Sequence, residues 1–250
     1  MRNFFRRLIR AATTFVLRLR SHPLPLTTEG HSVIIAPHQD DEAFGCAGLI
    51  LARRHAGLPV NIVYITDGAG SHPNHPRLGP AEIAQIRRAE SIEAMQHLQV
   101  ASTSLHFLDA ADGTLAQLSQ QAAEEQARRL ATILTLIQPT ELFIPCRDDG
   151  SSEHIAAFKL TQRALQFAEL NPRLREYPIW ARWRPQQLMR IGLRSRHVWR
   201  VTFPQAVSTK RAILAVYASQ TEPTEPWPDP VLPLGFLDCF ASTEEFFFER

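Results

Sequence analysis

Two short stretches concentrate the side chains able to hold a metal or move a proton. The first is Pro37-His38-Gln39-Asp40-Asp41-Glu42, and the second runs Arg147-Asp148-Asp149-Gly150-Ser151-Ser152-Glu153-His154. His38 and Asp41 stand three apart where an apolar run, Val33-Ile34-Ile35-Ala36, gives way to a helical pattern, so both can turn back onto one point. A histidine and a carboxylate with an open position suit a divalent catalytic metal such as zinc. Asp40, between them, is placed to serve as general base toward an attacking water. The same residues also fit an ordinary helix start, with Asp40 or Asp41 accepting from free N–H groups and Glu42 favouring the dipole. His154, near the start of a later helical pattern, adds a third ligand and leaves a fourth position for water. Glu153 or Asp149 would then orient a ligand or cap that helix.

The elements that must position these groups follow from periodicity. Val33–Ala36, Val60–Thr66, Ser104–Leu108 and Glu141–Pro145 are short apolar runs expected to be strands. Between and after them come helical patterns over Ala43–Ala56, Ala81–Leu98, Leu118–Ile137 and Glu153–Leu170. Strand and helix in repetition predict an α/β fold: a Rossmann-like, mostly parallel sheet with helices on both faces. Beyond Tyr177 the runs shorten (Tyr177–Trp183, Met189–Leu193, Val198–Phe203), which predicts a β-rich C-terminal addition, followed by a helix over Gln205–Ser219 and a Pro-rich tail from Pro223 to Pro233. In open parallel sheets ligands bind beyond the carboxyl ends of the strands. The acidic clusters stand there: Thr66-Asp67-Gly68 closes the second strand, and Asp109 and Asp112-Gly113 follow the third.

The chain has 250 residues, 44% of them hydrophobic and 21% charged, and a formal net charge of +2. That composition excludes disordered, collagen-like and disulfide-scaffold proteins, and the three cysteines form no C-x-x-C. No run reaches the roughly 20 apolar residues of a spanning helix. The charge is uneven: the first 20 residues carry six arginines and no acid, and the remainder is mildly acidic, which argues against a nucleic-acid binder. On a helical wheel Phe4, Phe5, Leu8, Ile9, Ala12, Phe15, Val16 and Leu19 share one arc opposite the arginines, with Leu17 the one apolar residue out of place. Such a basic amphipathic helix can lie on an anionic membrane surface or dock on its own domain or on a partner. Arginines recurring through the segment argue against a secretory signal.

Ala36-Pro37-His38-Gln39-Asp40-Asp41-Glu42 resembles the A-H-P-D-D-E signature of the PIG-L/LmbE-like zinc-dependent N-deacetylases. Thr66-Asp67-Gly68, Arg87-Arg88-Ala89-Glu90, Phe107-Leu108-Asp109 with Asp112-Gly113, Glu176-Tyr177-Pro178-Ile179-Trp180 and the segment from Lys210 to Ser219-Gln220 fit the family in order, over roughly residues 30–250. The resemblance implies His38, Asp41 and His154 as ligands of one divalent metal, zinc or ferrous iron, with Asp40 as general base. It implies removal of an N-acetyl group from an N-acetylglucosamine-type sugar or its glycoconjugate, whether a small molecule or lipid-linked. Two positions depart from the family pattern. Gln39 stands where the signature has proline, and Ser151 stands where the family often has a histidine thought to stabilise the oxyanion or protonate the leaving amine. Substitutes for that histidine are His72, His75 or Arg87, and Asp112, Ser151 and these three are the expected substrate-contacting residues.

The expected organisation is a basic amphipathic helix over 1–22, a linker over 23–30 and one deacetylase-like domain over 31–250. The expected location is the cytoplasm, including the inner face of the membrane, and the oligomeric state stays open. Two other readings fit the residues: a catalytically impaired metal-binding domain at a membrane surface, supported by Ser151, and a metal-dependent phosphoesterase, which needs more shared carboxylates.

Overall fold

The structure, a computed structural model, describes residues 2–26, 30–202 and 207–250, with backbone alone for residues 2–5 and 7. It opens with α1 (Arg2–Arg20), β1 (Ser21–Pro23) and β2 (His31–Ala36), then α2 (Asp41–His55), β3 (Val60–Thr66), α3 (Pro80–His97) and β4 (Leu105–Ala110). Next come α4 (Gln120–Ile137), β5 (Pro139–Pro145), α5 (Ser152–Ala168) and β6 (Arg173–Tyr177). The chain closes with α6 (Trp180–Trp183), α7 (Pro185–Arg194), β7 (His197–Thr202), α8 (Val207–Ala215), α9 (Ala218–Thr221) and β8 (Glu244–Glu249).

One eight-stranded sheet runs in the order β1-β7-β8-β6-β5-β2-β3-β4. β4, β3, β2, β5 and β6 are parallel throughout, and only β8 runs against its neighbours. The order reverses between β2 and β5, which makes the gap between their carboxyl ends the topological switch point. Every residue of β2 after His31 is buried, as a central parallel strand covered on both faces requires. Alternate side chains divide between two cores. Val33 and Ile35 join Leu130, Leu134 and Phe158 beneath α4 and α5, while Ile34 and Ala36 join Phe44, Ile50 and Tyr177 beneath α2.

The predicted α/β class holds, and the parallel strands and their helices lie where the sequence puts them. The C-terminal third differs in detail. Met189–Leu193, expected as a β-like run, lies inside helix α7. Met189, Ile191 and Leu193 alternate, but Pro185 opens the segment and Leu188 and Ile191, three apart, are the side chains buried. The predicted helix over Gln205–Ser219 is split into α8 and α9 around Val216 and Tyr217, and residues 205–206 lie outside the described part. Strand β8, which the sequence reading did not anticipate, inserts antiparallel between β6 and β7 and extends the same sheet. The expected helix over 1–22 ends at Arg20; its last two residues, Ser21 and His22, form β1 with Pro23 of the expected linker and pair with β7, and residues 27–29 of that linker lie outside the described part.

Candidate metal centre and active site

The turn after β2 holds the first cluster by an unusual backbone. Asp40 has φ 153° and ψ −29°, a conformation that L-residues rarely adopt and that stores strain. Its carboxylate caps nothing; its carbonyl accepts from Ala43 N and Phe44 N to start α2. Three buried contacts hold this turn. Glu42 accepts the Asp40 amide at 3.1 Å and is itself gripped by the Tyr64 hydroxyl at 3.0 Å and by the Tyr217 hydroxyl. Gln39, where the family signature has proline, donates from Nε2 to the Thr66 carbonyl at 2.7 Å, so a side-chain bond restrains the turn that a pyrrolidine ring would have restrained. Arg87, from α3, donates to the Gln39 carbonyl at 2.8 Å and lies 3.3 Å from the Asp40 carboxylate.

One oxygen of Asp41 is the point on which the cluster converges. Oδ2 accepts the His38 amide at 3.0 Å and lies 3.2 Å from His38 Nδ1 and 3.4 Å from His154 Nε2. His154 comes from the first turn of α5, across the switch point, and is fully buried. Its Nδ1 is 2.7 Å from Asp149, whose two oxygens also accept the amides of Ile179, Trp180 and Ala181 at 2.9, 2.9 and 3.0 Å. That bond fixes the ring and leaves Nε2 buried with no hydrogen-bond partner among the described residues, aimed at the cluster. One ligand atom from each of His38, Asp41 and His154 lies within 4.8 Å of the others. A nitrogen–oxygen–nitrogen donor set with a carboxylate behind one imidazole fits a divalent zinc or ferrous ion. A second set, His38, Asp112 and Glu153, shares His38 and meets the same distance limit.

The charges agree with this fit. Burial alone would raise the Asp41 carboxyl, yet His154 and His38 hold it well below the ordinary carboxylate range. Burial alone would lower both imidazoles. Asp112 and Asp41 nonetheless raise His38 to about 9, and Asp41 and Asp149 raise His154 to about 10. The site thus favours positive charge beside Asp41, and a divalent cation held there would displace those protons. Asp40 goes the other way: burial pushes it up to about 7 against the pull of Arg87, which matches a base working near neutral pH.

These groups open into a cavity of about 210 Å³. His38, Asp40, Arg87 and Asp112 form its polar side, and Phe44, Trp180 and Phe236 lie on the apolar side. Asp112 holds His38 Nε2 at 3.2 Å and accepts the Gly70 amide at 3.0 Å. The other expected contacts stand elsewhere. Ser151 caps α5, accepting the His154 amide at 3.4 Å, and does not line the cavity. His72 and His75 pack around Trp227, with ring centroids at 5.3 and 5.1 Å, and line a neighbouring cavity of about 510 Å³. Asp109 pairs with Arg88 on the surface. The sequence reading passed over Glu42, Tyr64 and Tyr217 as supports of the turn, and Gln220, Phe236 and Trp180 as cavity wall. Only the apolar flank of Tyr64 and Tyr217 hinted at burial, and nothing in their spacing links them to residue 42.

A model of the PIG-L family, described as GlcNAc-PI de-N-acetylase, matches residues 33–165. A probable N-acetyl-alpha-D-glucosaminyl L-malate deacetylase 2 of Bacillus subtilis (strain 168) is 33% identical over 87 residues, 34% of this chain and 38% of that protein. The match therefore spans well under half of the relative. Among solved structures, the N,N'-diacetylchitobiose deacetylase from Pyrococcus horikoshii superposes with a TM-score of 0.58 at 22% identity, covering 86% of this chain and 78% of its own. A deacetylase (Orf2*T) of the teicoplanin pathway reaches 0.65 at 20% identity over 87% and 96%. The 4-carboxy-2-hydroxymuconate hydratase GalB of Pseudomonas putida KT2440 reaches 0.61 at 16% identity over 77% and 80%. At such identities these likenesses establish the shared fold, and one fold carries both reactions.

Proposed function

The chain belongs to the PIG-L family, and from that premise we propose that it is a metal-dependent hydrolase that removes the N-acetyl group of an N-acetylglucosamine-type sugar or its glycoconjugate. The observation that carries this reading is the convergence of His38, Asp41 and His154 beside Asp40 in one cavity. The first three would hold the ion. When bound, it supplies Lewis-acid polarisation of the amide carbonyl and a lowered pKa for water. Asp40 takes the proton from the attacking water and returns it to the departing nitrogen, so amide and water become acetate and amine. Arg87, 3.3 Å from Asp40, favours the carboxylate before attack and stands on the cavity wall where the Ser151 position cannot reach. Asp112 orients His38, and Asp149 orients His154. The strained backbone at Asp40 keeps its carboxylate turned into the cavity instead of onto the helix N-terminus.

The test is metal analysis with acetate release from N-acetylglucosamine conjugates. Asp40→Asn should retain the metal and lose turnover by about 10³-fold, and His154→Ala should lose both. Metal retained by Asp40→Asn with turnover unchanged would overturn the assignment of the base. Metal in the unmodified protein without acetate release from any acetylated amino sugar would overturn the reaction class.

A further inference from the structure

Helix α1 is docked by the side that its composition would leave to water. Thr13 and Leu17 are buried, the Thr13 hydroxyl donates to the Pro185 carbonyl at 3.3 Å, and Leu17 packs against Gly192 of α7. The basic residues join this contact: the Arg6 guanidinium sits 4.5 Å over the Trp183 ring, and Arg18 Nε bonds Glu244 at 2.5 Å. The apolar stripe therefore faces outward, with Leu8 51%, Phe15 59% and Leu19 72% exposed. These positions, seven and four apart, form one continuous line along the helix. No rotation of α1 buries them without exposing Leu17 and Thr13. β1, which follows directly, is locked to β7 and fixes the helix in this pose.

We propose that this face of α1 is a docking surface for an anionic phospholipid bilayer. A second copy is a poor occupant, because the helix carries six arginines and no acid, and pairing two of them sets like charge against like. An anionic lipid surface fits the outward side: acyl chains cover the stripe, and headgroups answer Arg20, exposed in the last turn, while Arg6 and Arg18 hold the helix to the domain. On the docked side of the helix, Arg6, Arg10, Arg211 and Asp238, the last two paired at 2.8 Å, line a cavity of about 400 Å³ with Leu234, itself 77% exposed. Leu234 lies two residues from Phe236, which lines the proposed active site. The inference rests on α1 and its surroundings and stands independently of the deacetylase reading.

The test uses the full chain in co-sedimentation with vesicles of phosphatidylcholine and phosphatidylglycerol, and with vesicles of phosphatidylcholine alone. The chain should pellet with the anionic vesicles, about tenfold less with neutral ones, and less again as salt is raised. Phe15→Glu with Leu19→Glu should cut anionic binding by about tenfold or more while the circular dichroism spectrum is unchanged, because both side chains are exposed. Leu136→Glu, an exposed leucine on α4, should bind as the unmodified chain does. No pelleting with anionic vesicles, or equal pelleting of the double variant, would overturn the proposal. So would concentration-dependent self-association in gel filtration that the double variant abolishes, which would assign the stripe to a second copy.

Discussion

The ligand role proposed for His154 depends on its other nitrogen being engaged. Asp149 accepts from that ring and from three successive backbone amides at once, so it couples the ligand to the segment 179–181. Asp149→Asn keeps the shape but loses the charge behind the imidazole. Metal affinity should fall about 10–100-fold, measured by competition against a chromophoric chelator, with the fold intact by circular dichroism. Unchanged affinity would show that ring orientation does not depend on this carboxylate. Single residues were readable from the sequence where chemistry and spacing coincide, as at His38, Asp41 and His154. Glu42 was not, because its role consists of two tyrosines reaching it from β3 and from the segment between α8 and α9.

At the scale of elements, close approach decides which residues are tolerated. Gly45 lies where α2 crosses Tyr177, and a Cβ there would run into the ring, whose hydroxyl donates to the Ile35 carbonyl at 2.7 Å. Gly45→Ala should therefore destabilise by about 1–3 kcal/mol in urea unfolding, although alanine is the better helix former. Strand β4 carries a different liability. His106 faces Asn61 at 3.4 Å, and burial lowers its pKa below the ordinary value of 6.5. The unfolded chain therefore takes up this proton first as pH falls, and the contribution to stability is lost from about pH 6.5 downward. His106→Gln should show a smaller drop in melting midpoint between about pH 7 and pH 5 than the unmodified protein. An equal or larger drop would mean that His106 titrates normally.

The whole molecule ties its N-terminal arm to its C-terminal strands. α1 packs on α7 while β1 extends the sheet at β7, and Leu17, Leu188, Ile191, Val198, Phe246 and Phe248 share a small core of their own. Leu17→Ala should loosen α1 by about 2–4 kcal/mol and accelerate limited trypsin cleavage at its arginines, with the proposed metal centre unaffected. Unchanged cleavage would mean that β1 pairing alone retains the helix. No described helix is long and apolar enough to cross a membrane.

What the sequence determined by itself is local or periodic. Apolar runs specify parallel strands, 3.6-residue periodicity specifies the flanking helices, and strand ends carry the acidic and histidine clusters, because side-chain period and turn chemistry are properties of neighbours in the chain. The switch-point rule then places both clusters on one rim, so the candidate ligand set was legible before any fold was known. The tertiary structure decided whatever depends on residues far apart meeting. β8 enters the sheet antiparallel because its partners, β6 and β7, are brought beside it by the fold. Ser151 became a cap and His72 and His75 joined Trp227, since loop paths set those contacts. α1 docks through Leu17, the residue that the wheel left out of place. A helix buries the side that its neighbours fit, and the apolar arc of one isolated segment carries no information about those neighbours.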